Sequence, residues 1–354
     1  VKLLFIARTY PPLIGGIEKF SEDYYNHIKE SFHTDLLANK KGKKGLLFFF
    51  LKLLFYLMIN SKNYDIIHFS DAILAPVFPV IRLFSKAKIC VTVHGLDIIY
   101  NKWAYQYWNP PFLCIADRIF PVSEYTKKQC VNRGIPETKL EVIHNGIDLS
   151  CNNDYSLQDN PQLIKKFDLE SNAKILLLTV GRLIKRKGHQ WFIKNVMPKL
   201  GTGYIYLIAG EGPEYSNLFD TITEYNLHSQ IKLLGYVTEE EKFFLLKHAD
   251  FFIMPNIKIE GDQEGFGIVL IEAGYLSVPV IASRIEGITD AVLEGETGNL
   301  IESENVQGFI NAIVNNSIER SKISEKTIEA FNWNHIRECY VNAFYKIIGQ
   351  KKFF

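Results

Sequence analysis

The sequence predicts an α/β protein made of two parallel-sheet domains. Three observations carry that expectation. The chain has 354 residues, 47% of them hydrophobic and 22% charged, enough for two ordinary domains and too apolar for disorder. Short apolar runs alternate with segments of helical spacing, once up to about residue 148 and again from Ile175. Between the two series, residues 149–160 are polar and aperiodic, which marks a domain boundary.

The balance of charge excludes some partners. Formal net charge is +1, so no global basic excess argues for nucleic acid. Five scattered cysteines without a CxxC pair read as reduced thiols of a cytoplasmic protein. The opening Val-Lys-Leu-Leu-Phe-Ile-Ala reads as a first strand rather than a signal peptide. No apolar stretch has the length of a membrane span.

Residues 2–7 are the first strand. Two prolines and Gly15-Gly16 then make a structured loop, followed by a helix from about Gly16 to Glu30 with Ile17, Phe20, Tyr24 and Ile28 on one face. A strand, a glycine turn and a helix start form a phosphate-approach site or a plain strand-to-helix turn. Lys40, Lys41, Lys43 and Lys44 precede the run Leu46–Ile59, whose one charge is Lys52. That segment reads either as an interfacial helix with a basic anchor on anionic lipid or as a helix packed on the sheet. Tyr64–Phe69 and Ala87–Val93 are strands joined by a helix over 71–84. The second strand ends in His94-Gly-Leu-Asp97, at the strand end where open α/β sheets bind ligands. The aromatic stretch Tyr100–Phe112 suits a sugar groove, a membrane interface or a core. Ala116–Val122 is a strand, Ser123 caps the next helix, and Lys139–Ile143 is a short strand before His144-Asn-Gly-Ile-Asp148.

In the second series, Ile175–Val180 is a strand running into Gly181-Arg-Leu-Ile-Lys-Arg-Lys-Gly188. Arg182 and Lys187 stand there as cations suited to a diphosphate, or as a basic surface loop. Tyr204–Ala209, Ile231–Leu234, Asp250–Met254 and Val278–Ala282 are further strands. Thr238 and Glu241 make a capping box. Residues from about 303 onward are helical by pattern, with Trp333–Ile348 one amphipathic helix.

The chain is organised around Glu264-Gly-Phe-Gly-Ile-Val-Leu-Ile-Glu272. The glycines bend the backbone close to a neighbour, and the run after them starts a helix whose free N–H groups suit a phosphate. Two carboxylates thus flank an anion site, as a sugar nucleotide would require. The competing reading has the glycines as a turn and Glu272 in solvent.

This pattern, with Gly181-Arg182 and Lys187-Gly188, resembles the retaining glycosyltransferases of family 4 (glycosyl transferases group 1), which share the two-domain GT-B architecture. Gly15-Gly16, His94-Gly95 and Asn145-Gly146 agree with it. The resemblance implies residues 1–160 as a Rossmann-like acceptor-side domain and 161–330 as the nucleotide-sugar domain, with 331–354 packing back on the first. It implies Arg182 and Lys187 on the donor diphosphate and Glu272 on the ribose. Glu264, Gly265 and the amides of Phe266, Gly267 and Ile268 would hold the sugar and distal phosphate. Gly15 and Gly16 would approach the diphosphate, Glu211 and Tyr236 the base, and His94 the donor sugar at the reacting carbon. The implied reaction transfers a hexose with retention and without a metal or other cofactor, from a GDP-sugar or UDP-sugar to a glycan or lipid-linked acceptor, on the inner face of the cell membrane. Residues 261–269 look most like GDP-mannose-dependent phosphatidylinositol mannosyltransferases, so the expected donor is GDP-mannose. UDP-hexose transfer, or a sugar-nucleotide epimerase of the same architecture, is the alternative.

Overall fold

The computed structural model describes residues 1–100, 102–148, 160–169 and 174–349. The expected boundary at 149–160 therefore lies, except for Asn160, outside the described residues. The chain divides into two compact units. The first comprises Val1–Gly146, Gly261–Phe266 and Phe331–Phe354. The second comprises Ile147–Glu260 and Gly267–Ala330.

The first unit holds five parallel strands: β1 (Lys2–Ala7), β2 (His33–Ala38), β3 (Ile66–Phe69), β4 (Lys88–Val93) and β5 (Arg118–Pro121). Their order is β2-β1-β3-β4-β5. Register is set by runs such as Leu3 opposite Ile66 and Phe5 opposite His68. Strand alternation sorts side chains to two faces. Leu4 and Ile6 join a core with Phe49, Leu53 and Leu57 from the Leu46–Asn60 helix. Leu3 and Phe5 join another with Phe20 and Tyr24 of the Gly16–Ile28 helix and with Trp333, Ile336, Tyr340 and Phe344 of the Trp333–Ile348 helix. Each such large side chain contributes roughly 1.5–3 kcal/mol on burial. A buried polar chain ties the same layer together. His68 Nδ1 lies 2.5 Å from the Tyr24 hydroxyl and Nε2 3.0 Å from Thr92 Oγ1, which lies 3.3 Å from the Tyr340 hydroxyl.

The second unit holds six parallel strands: β6 (Ile175–Val180), β7 (Tyr204–Ala209), β8 (Ile231–Gly235), β9 (Phe251–Met254), β10 (Val280–Ser283) and β11 (Gly298–Ile301). Their order is β11-β10-β9-β6-β7-β8. Phe192, Tyr206, Ile208, Ile253, Ile281 and Phe309 are in its core. The Thr238–Glu241 capping box is formed, with both reciprocal bonds present.

Two parallel-sheet α/β units are what the alternating pattern predicts. The differences are local. β2 and β11 were not anticipated, and both lie on a sheet edge. Residues 139–143 make a single bridge, Ile119 to Leu140, rather than a strand. The helix expected over 71–84 begins as a 3₁₀ segment, Ala72–Val77, before Phe78–Phe84. Pro76 sits inside that segment and has no N–H to give an α-helical bond. Among the described residues no helix is long and apolar enough to cross a membrane.

Candidate active site

In the first unit the chain passes from β1 to β2 on one side and then crosses back to β3 on the other side of β1. The carboxyl ends of β1, β3 and β4 thus surround the point where the winding reverses, the usual place for a ligand in such sheets. Arg8, Ser70, Asp71 and His94 follow those ends. Arg8 Nε donates to Asp71 Oδ2 at 2.7 Å, and Asp71 also accepts the Ile73 amide. Asp97 is buried and accepts two amides, Ala72 at 3.0 Å and His94 at 2.9 Å. Burial pushes its carboxyl up to about 6 despite those bonds.

His94 is held on three sides. Its amide is fixed by Asp97, its ring packs edge-on against Phe20 at 4.7 Å, and Nε2 lies 2.8 Å from the Ser70 carbonyl. A carbonyl only accepts, so Nε2 carries the proton and Nδ1 carries a lone pair. The ring is enclosed enough that burial holds its pKa down, to about 4. It is a neutral imidazole near pH 7.

The glycine motif crosses this loop at van der Waals contact. A Cβ on Gly265 would fall 1.8 Å from the His94 carbonyl oxygen, and one on Gly95 would fall 3.1 Å from the Gly265 Cα. Gly95 also has φ +100°, which disfavours a side chain. Only bare backbone lets the two loops cross, and the crossing sets Glu264 one residue from His94–Gly95. Gln263 is buried beside it, with Nε2 lacking a hydrogen-bond partner among the described residues. Phe266 anchors the loop, stacked on His144 at 5.6 Å and edge-on to Phe331 at 5.8 Å. The division between the two units falls between Phe266 and Gly267, so the Glu264–Glu272 motif spans both. Gly15 and Gly16 stand exposed at the start of their helix.

In the second unit the cations sit at strand ends, as expected. Arg182 is exposed after β6, while Lys187 is 8% exposed. The Lys187 ammonium folds back over the strand end: a Cβ at Gly181 would lie 3.9 Å from its Nζ. Gly188 cannot carry a side chain, since a Cβ there would meet the Pro255 carbonyl oxygen at 1.9 Å. The loop after β6 is laced to that after β7 by Gly181 N–H to Ala209 O and Leu183 N–H to Glu211 O, at 2.9 and 2.8 Å. Gly210 N–H donates to Gly235 O at 2.7 Å. Arg182, Glu211 and Tyr236 therefore follow the carboxyl ends of three neighbouring strands, β6, β7 and β8.

Gly267, with φ +91°, caps the Ile268–Tyr275 helix. Glu272 is 4% exposed within that helix, which removes the solvent-facing reading. Its Oε1 accepts from Lys242 Nζ at 2.8 Å, and Lys242 also reaches Glu239 at 2.8 Å. Burial alone would lower the Lys242 pKa, but the two carboxylates hold it above its ordinary value. Sequence reasoning missed Lys242, Gln263, Arg8 and Asp71. For Lys242 there was a signal, a lone lysine after Glu239-Glu-Glu241 on a helix otherwise apolar to Leu246. Glu286 takes φ +53°, a left-handed backbone form that favours glycine. Among the described residues no cluster of three or more His, Cys, Asp or Glu side chains is arranged to hold a metal ion.

Residues 161–330 match the family model described as glycosyl transferases group 1, and residues 18–150 that of glycosyltransferase family 4. A putative colanic acid biosynthesis glycosyltransferase, WcaL of Salmonella typhimurium, is 26% identical over 69% of this chain. The match spans 58% of WcaL, so the chain covers little more than half the length of that relative. The uncharacterized glycosyltransferase MJ1069 of Methanocaldococcus jannaschii is 23% identical over 99% of each chain. Among solved structures, Anabaena HepE in complex with UDP superposes with a TM-score of 0.76 at 17% identity, covering 98% of this chain and 100% of HepE. HepE has also been solved with UDP-glucose.

These matches correct the expectation of GDP-mannose and the likeness to phosphatidylinositol mannosyltransferases, because the solved relative carries a uridine nucleotide. The error has a physical source. Within residues 261–269 the expected contacts, from Glu264 and the amides of Phe266, Gly267 and Ile268, are to the sugar and distal phosphate, parts that GDP- and UDP-hexoses share, so they hold no information about the base. The fold is the one these solved structures share, and each half of the chain is similar to a glycosyltransferase family model.

Proposed function

We propose that the protein is a retaining glycosyltransferase that moves a hexose from a UDP-sugar to a hydroxyl of a glycan or lipid-linked acceptor. The single observation that carries this reading is the second unit's strand-end set: buried Lys187, Arg182, and Glu272 braced by Lys242. Lys187 and Arg182 neutralise the diphosphate. Glu272 offers its second oxygen to the ribose hydroxyls while Lys242 holds the first. UDP as the nucleotide is supported by the HepE complexes. Glu211 and Tyr236 stand where a base would lie.

The barrier is loss of the anomeric C–O bond. Negative charge then grows on the β-phosphate while the sugar becomes oxocarbenium-like. Lys187, Arg182 and the amides of Phe266, Gly267 and Ile268 meet that charge without reorganising. The acceptor hydroxyl adds to the face the phosphate leaves, and the departing phosphate oxygen takes its proton. His94 accepts a hydroxyl of the donor sugar at Nδ1, a task its proton on Nε2 leaves open. Glu264 and the unpartnered Gln263 amide complete the sugar contacts. The domain division at residues 160 and 330, with the C-terminal helix serving the acceptor-side domain, belongs to the same reading. Peripheral contact of residues 40–59 with the cytoplasmic face of a membrane is proposed beside that reading and does not depend on it.

The test is UDP release from UDP-glucose, UDP-galactose and UDP-N-acetylglucosamine by the purified chain, beside Lys187→Ala. Loss of one fixed cation at the leaving phosphate is expected to cut turnover roughly 10²–10³-fold with an unchanged circular dichroism spectrum. Turnover by Lys187→Ala close to the parent's would remove the reading. Equal turnover of every UDP-sugar to epimerised product without an acceptor would favour the epimerase.

A further inference from the structure

The Leu46–Asn60 helix is apolar on the wrong side for a soluble protein. Phe49, Leu53 and Leu57 point into the core. Placed at 100° per residue, Leu47, Phe48, Leu51, Phe55, Met58 and Ile59 lie on the opposite side, and all are exposed, Phe48 by 72%. The Phe78–Phe84 helix packs against it and ends in exposed Leu83 and Phe84. The same short helix touches the Trp103–Leu113 helix, which presents Trp103, Tyr107 and Trp108, Trp103 being 83% exposed. Three adjoining elements thus share one open apolar surface, far beyond scattered surface residues.

Charge tells what covers it. Segments 40–63, 72–88 and 98–115, which build this surface, contain no Asp or Glu, although the chain as a whole is balanced. Lys40, Lys41, Lys43 and Lys44 lead into the first helix, and Lys52 lies at the margin of its apolar face. Lys62, Lys86 and Lys102 flank the rest. All eight are exposed, and none has a carboxylate partner among the described residues. Apolar side chains ringed by lysines, with tryptophan and tyrosine at one edge, match the headgroup region of an anionic bilayer.

The inner side of the aromatic helix touches the His94 loop. The Tyr105 hydroxyl donates to the Asp97 carbonyl. Gln106 Nε2 donates to Ile98 O and Tyr100 O at 2.9 and 3.0 Å, and Asn109 Nδ2 to Ala72 O at 3.0 Å. Asp97 in turn fixes the His94 amide. One helix therefore carries the open aromatic face on one side and the site loop on the other, separated by about a helix diameter, 10–12 Å.

We infer that the Trp103–Leu113 helix is the second half of a bilayer-docking surface begun by Leu46–Asn60, and that it delivers a lipid-anchored saccharide acceptor to the His94 loop. This rests on the transferase reading for the identity of the acceptor, but not for the docking. A lipid anchor stays in the bilayer under the aromatic edge, while its first sugars cover the remaining distance.

The experiment uses the full chain with vesicles of phosphatidylcholine, with and without phosphatidylglycerol, and no donor. Co-sedimentation is expected only with the anionic lipid. Leu51→Gln/Phe55→Gln and Trp103→Gln/Tyr107→Gln should each weaken it at least tenfold. These positions are exposed, so circular dichroism should not change. With UDP-sugar, the Trp103/Tyr107 variant should raise KM for a lipid-linked acceptor several-fold and leave donor hydrolysis by water unaltered. Parental vesicle binding by that variant would overturn the inference. So would self-association of the parent without lipid, which would make the surface a contact between copies, or loss of binding only to a soluble glycan. If vesicles bind but no UDP-sugar is consumed, the transferase reading fails and the docking surface stands.

Discussion

The two strand-end regions of this molecule are built in opposite ways. In the second unit the named groups are charged and fixed: Lys187 folded over Gly181, and Glu272 held by Lys242. In the first unit the centre is a neutral imidazole under a crossing of two glycine loops, His94–Gly95 with Gly265. One region is made to hold charge and the other to hold shape. The difference teaches where substitutions should act. Charge removal should matter most in the second unit and added volume most in the first.

The largest effect on stability is expected at Lys242. Lys242→Met keeps the chain length but leaves the Glu272 carboxylate buried without its cation, which costs about 3–5 kcal/mol. Chemical denaturation measures it, and Lys242→Arg should recover a good part. A loss under 1 kcal/mol for Lys242→Met would mean that the second unit does not depend on this pair.

Next is Gly265→Ala, where the new methyl would meet the His94 carbonyl at 1.8 Å. Prying the loops apart should cost about 3 kcal/mol, the upper end for overpacking. Gly203→Ala, with open space at its Cβ and an ordinary φ, is the control and should be near neutral. Equal thermal midpoints for the two variants would break the comparison, since volume would then be harmless at the crossing.

The smallest effect is on pH dependence. Burial holds His68 and His189 down to about 3 and His94 to about 4. Each is neutral when folded and protonates near 6.5 when unfolded. Their contribution is thus complete above pH 6.5 and is lost as pH falls toward the folded values, at about 1.4 kcal/mol per pH unit per histidine at most. Asp97, raised to about 6, works the other way: its contribution is full below about 4 and is lost as pH rises through 6. Three histidines outweigh it, so thermal stability should decline once pH drops below 6.5. His189→Leu, which removes a buried ring with both nitrogens unpartnered among the described residues, should flatten that slope. An identical slope in the variant would show that His189 is not among its causes.

Central strands were legible because they are buried on both faces and read as continuous apolar runs, as in Ile175–Val180 or Lys88–Val93. β2, with the sequence His-Thr-Asp-Leu-Leu-Ala, is an edge strand half-buried along most of its length, and its polar half hid it. β11 is an edge strand of four residues opened by a glycine. The Trp333–Ile348 helix was legible to the residue, since its apolar face repeats at helical spacing and Asn332 caps it. Residue types and chain spacing singled out His94, Arg182, Lys187, Glu264 and Glu272, and the structure puts His94 after β4, Arg182 and Lys187 after β6, and Glu272 buried in the Ile268–Tyr275 helix. The partner of Glu272 lies 30 residues away on another helix, a relation no local pattern contains.

The sequence by itself determined that two parallel sheets would form and which strand ends would carry the chemical groups, because apolar period and glycine placement act over a few residues. Only the tertiary structure decided which loops cross, which carboxylate is buried, and which face of Leu46–Asn60 stays open. That helix is apolar nearly all round, so its own pattern could not choose a side. The choice was made by what the sheet and the Phe78–Phe84 helix left uncovered.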